Sequence, residues 1–198
     1  MSEENNVIET QLNKRKKVVG DIIIIAILIL VLAFLYFATN VWLSVHLVRN
    51  VSMQSTLNDG DVVLADKLAT PRRGEVVIFK YDEKTDYIKR VIAVEGDTLY
   101  FEKKGGVSVV YIKYKGNDLR EVLEEPYLDE GTITEYFGDK TTILIGEGEY
   151  FVMGDNRAES YDSRDFGVIK EEQIKGVVHN LFILTKGVNK LIFSNSCA

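Results

Sequence analysis

The feature that most constrains this chain is an uninterrupted run of 17 apolar residues, 22–38. Carried on through residue 43, the largely apolar stretch reaches 22 residues, or about 33 Å of helix at about 1.5 Å per residue. That length crosses the roughly 30 Å hydrocarbon core of a lipid bilayer. Because a helix that is apolar on every face at this length rarely fits a soluble fold, the run predicts one membrane anchor.

The two ends of this run predict its orientation. A basic cluster, Lys-Arg-Lys-Lys at 14–17, precedes it, and positively charged flanks stay in the cytoplasm. Tyr36 and Trp42 lie near the far end, where aromatic side chains favour the membrane–water interface. The alternative is a cleaved signal peptide, but such peptides have a shorter apolar core of about 7–15 residues and a small-x-small exit. We therefore predict a cytoplasmic tail over 1–17, an anchor over 18–43 and an extracytoplasmic domain over 44–198 at the plasma membrane.

Composition narrows the function of the domain after the anchor. About 150 residues remain there, enough for one domain with a sizeable core. The net charge of -6 argues against a nucleic-acid partner. The single cysteine, Cys197, cannot form an internal disulfide. Because no cluster of metal-ligating residues stands out, we expect neither a metal nor a cofactor.

The chain after residue 50 is rich in β-branched residues, punctuated by turn-forming Gly, Pro and Asp. Many short strands at close spacing predict an all-β domain, a sandwich or barrel of coiled sheets. Gly105-Gly106 is a predicted hairpin turn, and two short pieces, 118–124 and 170–173, have helical periodicity. The predicted strands are 62–65, 75–79, 87–94, 98–103, 107–114, 141–145, 149–153 and 174–184.

Two stretches of the domain suggest nucleophilic chemistry. Ser52 and Met53 follow the apolar run closely, and Lys89 lies in a strand-like stretch. A serine hydroxyl is a weak nucleophile until a base removes its proton. A lysine can be that base only when burial lowers its pKa by several units from about 10.4. Strand alternation would turn Lys89 inward, away from its neighbours in sequence; a surface lysine on an amphipathic strand is the plainer alternative.

A third stretch, residues 154–164, is dense in turn-forming and charged residues. Gly-Asp-Asn opens it as a turn, and Ser160 and Ser163 supply hydroxyl groups. It predicts either a frame for the Ser52 and Lys89 side chains or a charged surface loop with an internal ion-pair network. Four charged residues are predicted to pair across it: Asp155, Arg157, Asp162 and Arg164. A histidine-based triad is a further route to an activated serine, with His46 and His179 as the two histidines.

The three stretches in this order resemble a type I signal peptidase of the Gram-positive bacterial kind. Gly-Asp-Asn-Arg-x-x-Ser-x-Asp-Ser-Arg at 154–164 is complete, and Tyr-Ile-Lys-Arg-Val at 87–91 and Arg-Gly-Glu-Val-Val-Ile-Phe at 73–79 also match. The resemblance implies a membrane-bound Ser/Lys peptidase that removes signal peptides from exported preproteins, after small residues. Its partners would be signal peptides, the bilayer and the secretion translocon. The roles it implies are nucleophile for Ser52, general base for Lys89, amine orientation for Ser160, a brace for Asp162 and Arg164, and a place near the substrate pocket for Met53.

Two positions depart from the family pattern. Ser55 stands where the family usually has Pro, and Asn50 stands where it tends to have Gly or Ser. In acyl transfer the Ser52 backbone amide is the expected first donor to the oxyanion, and an Asn side chain can also donate a hydrogen bond, so Asn50 is a candidate second donor. The alternative is that Asn50 only caps a turn. Two other functions stay open: a non-proteolytic accessory factor for surface-fibre (pilus) assembly, and a self-cleaving Ser/Lys transcriptional regulator.

Overall fold

A computed structural model describes residues 2–104, 107–136 and 141–184. The chain divides into two compact units, one ending at Trp42 and the other beginning at Leu43. The predicted hairpin turn at Gly105-Gly106 and Cys197 lie outside the described residues.

The first unit is a single helix, α1 (Ser2–Phe37), followed by a π-helical turn at Ala38–Trp42. The 30 residues of Asn13–Trp42 are long and apolar enough to cross a membrane. Apolar side chains along this part are exposed, Ile24 at 65% and Leu30 at 69%. An apolar helix with no covering layer costs free energy in water, and a bilayer removes that cost.

The second unit is built almost entirely of antiparallel strands, which confirms the predicted all-β class. A seven-stranded sheet has the order β1-β2-β11-β3-β4-β9-β10, and a four-stranded sheet has the order β7-β6-β5-β8. The strands are β1 Leu43–Leu47, β2 Val62–Asp66, β3 Val76–Lys80, β4 Asp86–Ala93, β5 Thr98–Lys104, β6 Val107–Lys113, β7 Glu121–Val122, β8 Thr142–Leu144, β9 Glu149–Met153, β10 Ile169–Lys170 and β11 Ile174–Leu184.

All eight predicted strands are present, each with both ends within one residue of the prediction. The helical prediction for 118–124 is wrong, because Glu121–Val122 forms the edge strand β7 against β6. The second helical piece is a 3-10 turn at Glu171–Gln173. Leu43 is the first residue of β1, where the apolar pattern suggested the last residue of the anchor.

The middle of the larger sheet is buried on both faces. In β3, Val76 and Ile78 join one core cluster while Val77 and Phe79 join another on the opposite face. This explains why β3 is a continuous apolar run without alternation. Burying a side chain such as Phe79 contributes about 1.5–3 kcal/mol. A rigid, doubly covered sheet is therefore the support for β4, the strand that carries Lys89.

Candidate active site

Ser52 is held by a tight turn whose apolar members are anchored in the core. Gln54 N donates to Val51 O at 2.9 Å, and Leu57 N donates to Met53 O at 2.8 Å. Met53 and Leu57 are each 1% exposed and pack in the cluster that contains β2 and β3 side chains. The turn therefore fixes the Ser52 backbone while Met53 fills the core beneath it.

Lys89 lies opposite Val77 in the register of β3 and β4 and is 4% exposed. Its Nζ atom is 2.6 Å from Ser52 Oγ. The prediction that Lys89 is inward-facing is confirmed, and the surface-lysine alternative is wrong. The face of the Tyr87 ring lies nearby, with its centroid 5.5 Å from Nζ.

Burial lowers the pKa of Lys89 from 10.5 to about 8. The charge of Asp162 opposes this change and that of Arg164 adds to it, but removal from water is the largest cause. A lysine with a pKa of about 8 has a substantial neutral fraction near neutral pH. The pair can therefore exchange a proton between Ser52 Oγ and Lys89 Nζ.

The stretch 154–164 closes over this pair. Asn156 N donates to Ser52 O at 3.1 Å, and its side-chain amide donates to Val51 O at 3.2 Å. A Cβ atom on Gly154 would collide with Ser52 O and with Ser160 Oγ, so glycine is needed where this loop meets the Ser52 turn. The loop and the turn are thus joined directly through their backbones.

Asp162 and Arg164 brace the loop as the resemblance implied. Asp162 caps the short helix α2 (Ser163–Phe166) and accepts from Gly154 N at 2.9 Å. Arg164 Nε donates to Asp162 Oδ1 at 2.9 Å, and Arg164 Nη2 donates to Arg157 O at 2.8 Å. Burial acts to raise the pKa of Asp162, but the Arg164 guanidinium together with hydrogen bonds from Gly154 and Ser160 outweighs it and holds that pKa below its usual range.

The other two charges of the loop do not pair across it, which corrects the prediction. Asp155 is bound by Arg90, with Nε to Oδ1 at 2.9 Å and Nη2 to Oδ2 at 2.6 Å, and accepts from Thr56 Oγ1 at 2.5 Å. Arg157 pairs with Glu125 instead. Both partners come from distant parts of the chain, which local charge patterning does not reveal.

Arg90, which we did not predict as a site residue, ties the three stretches together. It donates to Thr56 in the Ser52 turn, to Asp155 in the loop and, from β4, to Gly74 O at 2.6 Å. Its guanidinium also covers the Tyr127 ring at 4.0 Å. The available signal was a second charged residue directly after Lys89, followed by the apolar residues Val-Ile-Ala at 91–93, since a buried arginine must be paired.

Ser160, Asn50 and the histidines complete the predicted set. The buried Ser160 hydroxyl lies close to Asp162 and helps to lower the pKa of that carboxylate. Asn50 is exposed at φ 129°, and its Oδ1 accepts from Val51 N at 2.7 Å. His46 lies in β1 and bonds to Ser44, whereas the His179 side chain is outside the described part of the chain.

A cavity of about 520 Å³ opens beside the Ser52–Lys89 pair. Asn50, Met53, Tyr87 and Ile88 line it together with the pair. Its lining combines apolar surface with the two reactive side chains. An extended peptide segment can therefore lie against Ser52 there.

The fold and site define a β-rich domain with a buried serine–lysine pair, following a helix that could span a membrane. The family model described as "Signal peptidase, peptidase S26" matches residues 19–183. The chain is 32% identical over 181 residues to signal peptidase I of Bacillus licheniformis, covering 85% of this chain and 88% of that protein. It is 34% identical over 151 residues to signal peptidase IB of Staphylococcus aureus, covering 67% and 74%. A crystal structure of a signal peptidase I from Enterococcus faecalis V583 is 25% identical, with a TM-score of 0.42, and covers 56% of this chain and 98% of that one. The chain belongs to the signal peptidase family, peptidase S26.

Proposed function

We propose that this protein is a membrane-bound endopeptidase that removes signal peptides from exported preproteins, with Ser52 as nucleophile and Lys89 as general base. The observation that carries the proposal is the 2.6 Å approach of Lys89 Nζ to Ser52 Oγ in a buried site beside an open cavity. Family membership supports the reaction and the substrate class. Nothing in the comparisons favours the accessory-factor or regulator alternatives.

The reaction is acyl transfer through a covalent intermediate. Neutral Lys89 takes the Ser52 hydroxyl proton as Oγ attacks the carbonyl carbon of the scissile bond. The resulting ammonium gives that proton to the leaving nitrogen, and the carbon–nitrogen bond breaks to leave an acyl-enzyme. Lys89 then takes a proton from water as the water oxygen attacks the ester, and returns it to Oγ when the serine leaves.

The tetrahedral intermediates place negative charge on the carbonyl oxygen, which needs hydrogen-bond donors. None of the described residues accepts a hydrogen bond from the Ser52 amide N–H, so that group is free to be one donor. The backbone N–H of Asn50 donates to Asp59 Oδ1, and Asn50 Oδ1 accepts from Val51 N. The side-chain Nδ2 of Asn50 has no acceptor among the described residues. We propose the Ser52 amide as the first oxyanion donor and the Asn50 side chain as the second.

Ser160 has a supporting role in this mechanism. A neutral amine can donate two protons to nearby acceptors, and the buried Ser160 hydroxyl lies where Gly154 meets the Ser52 turn. A small side-chain shift would let Ser160 Oγ accept from Lys89 Nζ while the Ser160 hydroxyl proton stays with Asp162. We propose that Ser160 orients the amine in this way when substrate is bound.

The membrane arrangement is part of the proposal. The basic cluster at 14–17 supports a cytoplasmic N-terminus with the β-rich domain outside, at the plasma membrane. We propose a tail over 1–17, an anchor that ends at Trp42 and a peptidase domain that begins at Leu43. An epitope inserted in the exposed Gly116–Asn117 turn should be digested by protease added to spheroplasts; protection of that epitope would reverse the orientation.

The proposed reaction is tested with the full chain purified in detergent. It should cleave a panel of preproteins, and mass spectrometry of the products should place each cut after a small residue at the end of the signal segment. Cuts scattered through the mature sequences would contradict a signal peptidase, and the absence of any cut would contradict a peptidase.

The lysine's role as base is tested with Lys89→Arg. Arginine keeps the positive charge but does not lose its proton in this range, so it should be as inactive as Lys89→Ala. Thermal melting of each variant controls for folding. Substantial activity in a folded Lys89→Arg variant would show that the residue acts as a structural cation.

A further inference from the structure

A second cavity, of about 710 Å³, lies on the other flank of the Ser52 turn. Gln54 and Ser55 line it, only two and three residues after the nucleophile. Asn156, which donates its backbone N–H to Ser52 O, lines it as well. Among the described residues, the two cavities share no lining residue. The Ser52 turn therefore separates two distinct recesses.

One buried side chain connects the two segments that line the second cavity, residues 129–133 (the wall) and residues 155–158 (the floor). From the floor, Arg157 donates to Thr134 Oγ1 at 2.5 Å, directly after the wall, to Glu125 Oε2 at 2.7 Å and to Gly154 O at 3.0 Å. At 4% exposure, this arginine is screened little by solvent. These bonds fix the position of Arg157 in the cavity lining.

Five of the eleven residues that line the second cavity carry an amide or hydroxyl group: Gln54, Ser55, Asn58, Thr132 and Asn156. Its two buried charges are each neutralised by a partner elsewhere. Asp129 is exposed on the wall, and its carboxylate has no partner among the described residues. The cavity therefore offers polar groups and one unneutralised negative charge.

We propose that the second cavity is the subsite for the first residues of the mature chain, and that Asp129 makes it favour a basic over an acidic side chain there. This rests on the proposed function. If the apolar end of the signal peptide lies against Met53 and Ile88 in the first cavity, the chain that continues past Ser52 must leave on the other flank. An extended chain advances about 3.3 Å per residue, so one or two residues beyond the scissile bond suffice to enter the second cavity.

The second cavity also suits the new N-terminus of the mature chain after cleavage. Breaking the peptide bond leaves an α-amino group on the mature chain, which becomes an ammonium group when it takes up a proton from solvent, next to a recess with an unpaired carboxylate. Because Asp129 is exposed and screened by salt, its effect on a charged substrate residue should be modest, about two- to fivefold in kcat/KM. The effect should decline as ionic strength rises.

The position of the subsite is tested by narrowing it in the full-length enzyme. Thr132→Trp, at an exposed wall position, should lower kcat/KM for peptides that extend four residues past the cut. It should leave unchanged the hydrolysis of the same signal segment ending in a 4-nitroanilide, which has no mature chain. Lys84→Trp, the matched change on the exposed rim of the first cavity, should lower kcat/KM for both substrates. Thr132→Trp lowering both or neither would overturn the subsite.

The charge preference is tested with three peptides that carry Lys, Gln or Glu at the second residue after the cut. The wild type should cleave them in that order, and Asp129→Asn should make the three rates equal. Glu159→Gln, an acidic residue that lines the first cavity, should leave the order unchanged. Equal rates in the wild type, or the same order in Asp129→Asn, would overturn the role of Asp129 while the peptidase activity stands. Failure to cleave any peptide or the anilide would overturn the proposed function and the subsite with it.

Discussion

The pH dependence of cleavage should report the titration of Lys89. With a pKa lowered by burial from 10.5 to about 8, the neutral base is about 1% of the enzyme at pH 6, about 10% at pH 7 and about 90% at pH 9. Because the unprotonated amine is the active form, kcat/KM should rise about tenfold per pH unit below pH 7.5 or so and level off above about 8.5. A tenfold change in kcat/KM per pH unit is the slope expected when one proton is lost from the enzyme.

The assay uses a signal-peptide substrate with a blocked N-terminus and no His, Lys, Cys or Tyr, so that only the enzyme titrates over pH 6–10. Since kcat/KM reflects the free enzyme, its midpoint gives the Lys89 pKa before substrate adds further burial. A midpoint near 10.5, or a rate independent of pH between 6 and 9, would refute the reasoning. Asp162→Asn should move the midpoint toward lower pH, because the Asp162 charge raises the Lys89 pKa.

The same pKa shift has a consequence for stability, whose sign follows from linkage. A lysine whose pKa is lower in the folded state binds protons more weakly there than in the unfolded chain. Burying the charged amine therefore opposes folding, fully below about pH 8 and less as pH rises toward 10.5. The shift from 10.5 to about 8 corresponds to about 3 kcal/mol at pH 7, as an upper value. Lys89→Met should therefore raise the free energy of unfolding at pH 7, and this gain should vanish as pH rises from 8 to 10.5. A variant less stable than wild type at pH 7 would contradict the cost assigned to the buried amine.

Three further changes test the surroundings of the pair. Asn50→Ala should lower kcat about ten- to a thousandfold with little change in KM, the effect of one lost oxyanion donor; an unchanged kcat in steady-state kinetics would leave the Ser52 amide as the sole donor. Ser55 has φ 96°, a backbone conformation that glycine adopts easily, so Ser55→Gly should raise the melting temperature. Proline fixes φ near -65°, so Ser55→Pro should lower the melting temperature by several degrees. An unchanged melting temperature in Ser55→Pro would mean that the turn is not held in this conformation. Asp155→Asn leaves the Arg90 guanidinium buried without its charge partner and should cost about 3–5 kcal/mol by chemical denaturation; a loss below about 1 kcal/mol, within the range of exposed pairs, would show that the network is solvated.

Local pattern was enough to predict most of the fold. Strands such as β5 and β9 are dense in β-branched and aromatic residues and bounded by turns, so their limits could be read closely from the sequence. β1 was hidden because it continues directly from the apolar run, and periodicity does not separate an apolar strand from the end of an apolar helix. β7 and β10, of two residues each, are set by their neighbours in the sheet and have too few residues for a pattern.

The candidate site could also be predicted only in part from the local sequence. Strand alternation predicted that Lys89 points into the domain, and its burial confirms that. The pairing of Arg90 with Asp155 could not be predicted, because 65 residues separate the two and only the sheet order brings them together. Likewise, Arg157 finds Glu125 across a loop whose course depends on tertiary packing. Of the four loop charges that were predicted to pair with one another, only Asp162 and Arg164 do so, and they are two residues apart.

The central claim, that Ser52 is the nucleophile, is tested most directly by cleavage of one mapped preprotein with Ser52→Ala. This change removes a single hydroxyl at a position that is 7% exposed, so the melting temperature should stay close to that of the wild type. The rate should fall by at least about a thousandfold, because no attacking oxygen remains next to Lys89. A folded Ser52→Ala enzyme that retains more than about a tenth of the wild-type rate would contradict the account, since oxyanion donors and binding alone leave far less than that.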